Sequence, residues 1–226
     1  KNAKITTKEN GLKDIIRAAR VFQNTPQLFI FNKMVKEGVI IADISIDFDD
    51  KGKLASSYNF KGSVKDGKIR LLNKRNINNI SFNFNIKDKQ YLLESGQIEY
   101  EKLKLSSKKI KVNDKEQYFL LEGDVSIPKS SVNSDLLAVI FKNNLKNTDI
   151  NNLNFSSENN FSFRLEKKLK ISSFTIDSKI GLQKLIYKKK NNTLKKYTSN
   201  YNDSVELIDH KIELFVNKNK LLIKGD

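Results

Sequence analysis

Gly38–Leu72, GVIIADISIDFDDKGKLASSYNFKGSVKDGKIRLL, decides how this chain folds. Ile40, Ala42, Ile44, Ile46 and Phe48 share one parity, and Ile41, Asp43, Ser45 and Asp47 share the other. Successive side chains of a strand point to opposite faces, so this alternation predicts a strand with one apolar face and one wetter face. Asp49, Asp50, Lys51 and Gly52 carry turn chemistry, after which Leu54, Ser56, Tyr58, Phe60, Gly62 and Val64 resume the alternation. Asp66-Gly67 reads as a second turn leading into Ile69 and Leu71. The expectation is three consecutive antiparallel strands, a meander whose two faces differ in polarity.

Working outward, residues 1–36 read as a helical entry segment. Ile15, Ile16, Ala19 and Phe22 recur at helical spacing, and Thr25-Pro26 supplies an N-cap followed by proline at the first helical position of a second short helix. Leu28, Phe29, Phe31, Met34 and Val35 make that second helix too apolar to lie free, so it should cover one end of the sheet. Residues 37–128 form an antiparallel β-repeat region, in which Ile80, Phe82, Phe84 and Ile86 give the clearest alternation of all. Short strands follow at Tyr91–Leu93, Gln97–Tyr100, Leu103–Leu105, Ile110–Val112 and Tyr118–Ile127, and Pro128 ends the series. Residues 129–148 read as a helix capped by Ser130 or Ser131, with Leu136, Leu137, Val139, Ile140 and Phe141 as its apolar body. Residues 149–226 return to strands, interrupted by a lysine- and asparagine-rich loop over 188–202. The fold class is therefore mainly β: a long curved antiparallel sheet, an open trough, with short N-terminal helices and one helix near 130–145. The sheet is expected to continue beyond both ends of the sequence.

The 226 residues carry a formal charge of +16, which in general points to nucleic acid or an anionic surface. Nearly all of the excess is lysine, the arginines being only Arg17, Arg20, Arg70, Arg75 and Arg164, whereas phosphate and base recognition favours the fixed fork of arginine. The lysines are also spread along every segment among abundant asparagine and isoleucine, the residues that AT-rich codons encode. No nucleic-acid partner is expected. The absence of cysteine excludes disulfides and thiolate metal sites, and a single histidine, His210, excludes any site built on two imidazoles. His210 is expected in a turn between Leu207 and Ile212. No apolar run reaches the ~18 residues of a membrane-spanning helix.

Motifs that mimic chemistry fail on their details. Gly62-Ser63-Val64-Lys65-Asp66-Gly67-Lys68 has the glycine and lysine spacing of a phosphate loop, but Ile69 stands where a hydroxyl must bind magnesium, and strand rather than helix follows. A hairpin turn is the expectation there. Asp47, Asp49 and Gly52 open like a calcium loop, yet Lys51 occupies a ligand position and Tyr58 falls where the bidentate glutamate belongs. Glu94, Glu99 and Glu101 offer paired carboxylates, which on such polar strands read as partners of neighbouring lysines rather than as a hydrolytic pair. Nothing here calls for a cofactor, and the chain is not expected to be an enzyme. A weak repeat is visible: Tyr58–Val64 (YNFKGSV) aligns with Phe119–Val125 (FLLEGDV), and Leu222–Asp226 (LIKGD) begins the pattern again.

The run Lys33–Val125 resembles the AsmA-like family, particularly its YhdP and TamB branches. The features that carry the resemblance are a short apolar helix, then VKEGVIIADISIDFDDKGKLASSYNFKGSVKDGKIRLL, then INNISFNFNIKDKQYLLESGQIEYEKLKLSSKKIKV. Shared with that family is the rhythm of a strand beginning after glycine, a glycine-bearing strand, an aspartate-glycine turn and a less polar short strand. The 188–196 loop and the helix near Leu136 match no family pattern. The resemblance implies a bacterial envelope protein in the periplasm, anchored to the inner membrane by an N-terminal helix that precedes Lys1. It also implies involvement in phospholipid transport between the inner and outer membranes, with acyl chains held in an apolar β-trough without catalysis. The lining is expected from Ile44, Ile46, Phe48, Tyr58, Phe60, Val64, Ile80, Phe82, Phe84 and Ile86, with lysines and arginines at the rim toward lipid phosphates. Two other classes compete: a structural or adhesive β-repeat protein whose apolar face is its packed core, and a basic nucleic-acid-binding domain.

Overall fold

The structure is a computed structural model that describes residues 2–22, 26–51, 54–71, 74–87, 90–134, 136–137, 149–168, 170–188, 204–218 and 220–226. The protein is mainly β, one open antiparallel sheet of twelve strands with two short helices. In chain order these are β1 (Asn2–Thr6), β2 (Asn10–Gly11), α1 (Leu12–Phe22), α2 (Pro26–Met34), β3 (Val35–Phe48), β4 (Leu54–Arg70), β5 (Asn76–Lys87), β6 (Gln90–Tyr100), β7 (Leu103–Asp114), β8 (Tyr118–Val132), β9 (Asp149–Glu166), β10 (Ile171–Lys188), β11 (Ser204–Asn217) and β12 (Lys220–Gly225). From β3 onward each strand pairs with the next in sequence, while β1 and β2 both pair with β3. Two compact units divide the chain: Lys1–Val125 with Asn160–Phe174, and Ser126–Asn159 with Thr175–Asp226.

Several local expectations are corrected. Residues 2–11 are not helical: Ala3 and Ile5 face Ile46 and Ile44 across β3, and the Thr6 hydroxyl donates to Asp43 Oδ1 at 2.8 Å. Asp66-Gly67 is a bulge inside β4 rather than a turn, so Gly38–Leu72 yields two long strands, not three. Val64 pairs with Phe82 and Gly67 with Ile80, which leaves two residues of β4 opposite one of β5, and Asp66 takes φ 51° to absorb the extra residue. The aspartate-glycine chemistry that permits a turn permits a left-handed bulge equally well. The phosphate-loop mimic therefore lies within a strand, not in a hairpin. Asn79 (φ 52°) and Ser95 (φ 54°) stand at the register shifts of β5 with β6, so the irregularities form a row across adjacent strands.

β8 runs through Pro128 to Val132, and the cap of the following turn is Asn133, whose Oδ1 accepts the Leu136 amide at 3.0 Å, not Ser130 or Ser131. Ser134, Leu136 and Leu137 have helical backbone; the rest of the helix expected over 129–148 lies outside the described residues, as does most of the 188–202 loop. His210 lies within β11 opposite Leu182, not in a turn. Glu94 and Glu99 both face lysines across β7, Glu94 opposite Lys109 at 3.9 Å and Glu99 opposite Lys104, and Glu99 also accepts from Asn79 Nδ2 at 2.9 Å.

The sequence repeat has a structural counterpart. Gly62 pairs with Ala42, and a Cβ added to it would stand 2.2 Å from the Ile41 carbonyl oxygen and 2.7 Å from Phe84 Cζ. At Gly123 an added Cβ would meet the Lys109 carbonyl oxygen at 2.6 Å and Ile110 Cα at 3.0 Å. Gly225 pairs with Ile212, and the nearest atom to its Cβ position is again the preceding carbonyl oxygen, that of Lys211, at 3.7 Å. In the last two copies the following aspartate clamps the neighbouring strand. Asp124 accepts the Lys108 and Lys109 amides at 2.8 and 2.9 Å, and Asp226 accepts the Lys211 amide at 2.7 Å.

Candidate functional site

Strand register assembles an apolar face from residues far apart in sequence. One row of Cα partners runs Ile5, Ile44, Phe60, Ile86, Tyr91, Val112 across β1 and β3–β7. The next runs Ala42, Gly62, Phe84, Leu93, Ile110, and a third begins Ile40, Val64, Phe82. Because the rows are two residues apart along each strand, all of these side chains share one face. The second row sets two small residues, Ala42 and Gly62, beside three large ones. Gly62 leaves the space into which the Phe84 ring fits, and Phe84 meets Phe82 edge-on with ring centroids 6.4 Å apart at 62°.

This face forms the floor of a cavity of about 390 Å³, within the range of small-molecule sites. β3 contributes Ile40, Ala42 and Ile44, and β4 contributes Phe60, Val64, Gly67 and Ile69. β5 adds Ile80, Phe82, Phe84 and Ile86, and β6 adds Tyr91 and Leu93. Leu12 and Ile15 of α1 and Phe31 of α2 complete the wall. α1 packs on β3 and α2, and its Ile16 is buried, only 5% exposed. Thr7, a further lining residue, spends its hydroxyl on backbone: Oγ1 accepts the Ala42 amide at 2.8 Å and the O–H donates to the Ala42 carbonyl at 3.1 Å. None of the lining side chains is charged. Such a wall holds an apolar group by excluding water from it.

Of the ten residues expected to line a trough, seven come together here: Ile44, Phe60, Val64, Ile80, Phe82, Phe84 and Ile86. Ile46 and Phe48 lie farther along β3 than Ile44, the last β3 residue of the lining, and are half-buried outside it. The Tyr58 backbone pairs with Ile46, while its side chain lies outside the described residues. The helical residues Leu12, Ile15 and Phe31 were not among the expected lining. Their signal in the sequence was the apolar character of the two helices, which says that they cover something but not which side chains reach inward.

Among the described residues, no group of three or more His, Asp or Glu side chains is arranged to hold a metal ion, and no helix is long and apolar enough to cross a membrane. No family model, curated protein or solved structure matches the chain.

Proposed function

We propose that this chain is an AsmA-like envelope protein of the periplasm, involved in phospholipid transport between the inner and outer membranes, and that its cavity holds lipid acyl chain. The observation that carries the reading is the uncharged cavity floored by β3–β6 and completed by α1 and α2. At about 390 Å³ the cavity lies at the small end of small-molecule sites, a scale that suits part of one acyl chain rather than a whole diacyl lipid. The strand rhythm over Lys33–Val125 that resembles the AsmA-like family supports the same reading. No cofactor enters it, and no chemical step is required of the protein.

A second reading, a structural β-repeat protein whose apolar face is simply core, is favoured by the interlock of Phe84 with Gly62 and by the burial of Val64 at 3% exposure and Ile80 at 8%. Native mass spectrometry with lipid extraction separates the two. The acyl reading expects phospholipid at defined stoichiometry, lost in Phe82→Glu or Phe84→Glu with the circular dichroism spectrum retained. A stable protein that takes up no lipid, even when lipid is supplied, sinks it.

A further inference from the structure

Resting on the acyl reading, we infer that the α1–α2 pair is a docking surface for an anionic phospholipid bilayer, and that Ile15 and Phe31 mark where a chain passes from bilayer to cavity. Residues 12–36 contain five cations, Lys13, Arg17, Arg20, Lys33 and Lys36, against one carboxylate, Asp14. The same short segment exposes apolar side chains that a helix turned only toward its own sheet does not need: Val21 is 82% exposed, Phe29 42% and Phe31 40%. Val21 follows Arg17 by one helical turn, so cation and apolar group share the outer side of α1.

On α2 the mixture is tighter. The Arg20 guanidinium lies 5.0 Å and the Lys33 ammonium 4.4 Å from the centroid of the Phe29 ring. Cations gathered around an exposed ring fit the bilayer interface, where the ring enters the acyl boundary and the charges meet phosphates. Arg17 and Asp14 form an ion pair at 3.3 Å, but both side chains are more than half exposed, so water screens the pair and a lipid phosphate can compete for the guanidinium. Ile15 and Phe31 belong to the cavity wall and are 39% and 40% exposed, so solvent reaches the wall where the two helices supply it. A nucleic-acid duplex would engage the cations and have no use for the exposed aliphatic Val21; a bilayer uses both.

The test is co-sedimentation of the full chain with vesicles of phosphatidylglycerol and phosphatidylcholine, compared with phosphatidylcholine alone, at low and high salt. Binding is expected to the anionic vesicles, roughly tenfold or more weaker to neutral ones, and to fall with salt. Arg17→Glu with Lys33→Glu should abolish it, and Val21→Asp, at a site too exposed to disturb folding, should weaken it by about tenfold. Loading of a fatty acid delivered from cyclodextrin, read by native mass spectrometry, reports the cavity independently of any bilayer. Equal binding to both vesicle types, no binding, or binding that survives Val21→Asp and is matched by duplex DNA would overturn the docking surface. If the fatty acid still loads in those cases, the acyl reading stands without it; if neither occurs, the acyl reading fails as well.

Discussion

The β3–β6 face and the β11–β12 hairpin are built on one pattern and come to different ends. In both, apolar residues of one parity pair across antiparallel strands: Ile40 with Val64 in the first, Leu214 with Ile223 and Val216 with Leu221 in the second. In the first, Val64 and Ile80 are nearly removed from solvent; in the second, Leu221, Leu222 and Ile223 are 63%, 51% and 58% exposed. Alternation specifies a strand and its pairing, but burial requires a cover, and α1 and α2 supply one to the first face. The repeated glycine records the same contrast. Its surroundings close from 3.7 Å at Gly225 to 2.6 Å at Gly123 and 2.2 Å at Gly62, where the Phe84 ring also presses in.

The sharpest way to break the comparison is to put a charge on the covered face. Val64→Asp buries a carboxylate among Ile40, Phe82 and their neighbours and should cost at least about 3 kcal/mol in urea unfolding, whereas Leu222→Asp on the exposed hairpin should cost under about 0.5 kcal/mol. A destabilisation of equal size at both positions would mean that the cover makes no difference.

The glycines give a graded version. Gly62→Ala forces a methyl against backbone and the Phe84 ring and should cost about 2–3 kcal/mol, and Gly123→Ala about 1–2 kcal/mol. Gly225→Ala, with only ordinary van der Waals contact to make, should stay within about 0.5 kcal/mol. Any other order in chemical denaturation would refute this grading.

The smallest effect concerns pH. The Asp226 carboxyl is held below the ordinary aspartate range, chiefly by the Lys211 amide it accepts, with lesser help from the charges of His210 and Lys211. A lowered folded value means that this contact contributes fully above the pKa of an unfolded aspartate and is lost as pH falls through the lower folded value. The Lys211 amide should therefore lose hydrogen-exchange protection in acid, relative to its neighbours in β11, and should lose it at all pH values in Asp226→Ala, which removes the acceptor. Protection that is flat across that acid window would contradict the clamp.

Much of this architecture was legible in the residues. The alternation of Ile80, Phe82, Phe84 and Ile86 pointed to both the strand and the side that lines the cavity, whereas the repeat at YNFKGSV did not say that its glycine is a close approach beside Phe84. What was not legible depends on partners distant in sequence. Asn2–Thr6 becomes a strand because the edge of β3 is there to pair with, although nothing local to those residues demands it. Asp66-Gly67 carries identical chemistry as a turn or a bulge, and only the register of Ile80 opposite Gly67 decides between them. Pro128 reads as a terminator, yet β8 continues through it to Val132. Ile15 and Phe31 join the cavity through how their helices dock, which helical periodicity alone does not encode.

The central claim is that a chain-shaped apolar ligand enters the covered cavity rather than adhering to exposed apolar surface. The most direct measurement is photo-crosslinking with a diazirine-bearing fatty acid, followed by peptide mapping. The account predicts label on the peptides bearing Phe31, Ile80 and Phe84, competed by unlabelled fatty acid, with β12 left unmodified. Label concentrated on Leu221–Ile223 and indifferent to competitor would contradict it.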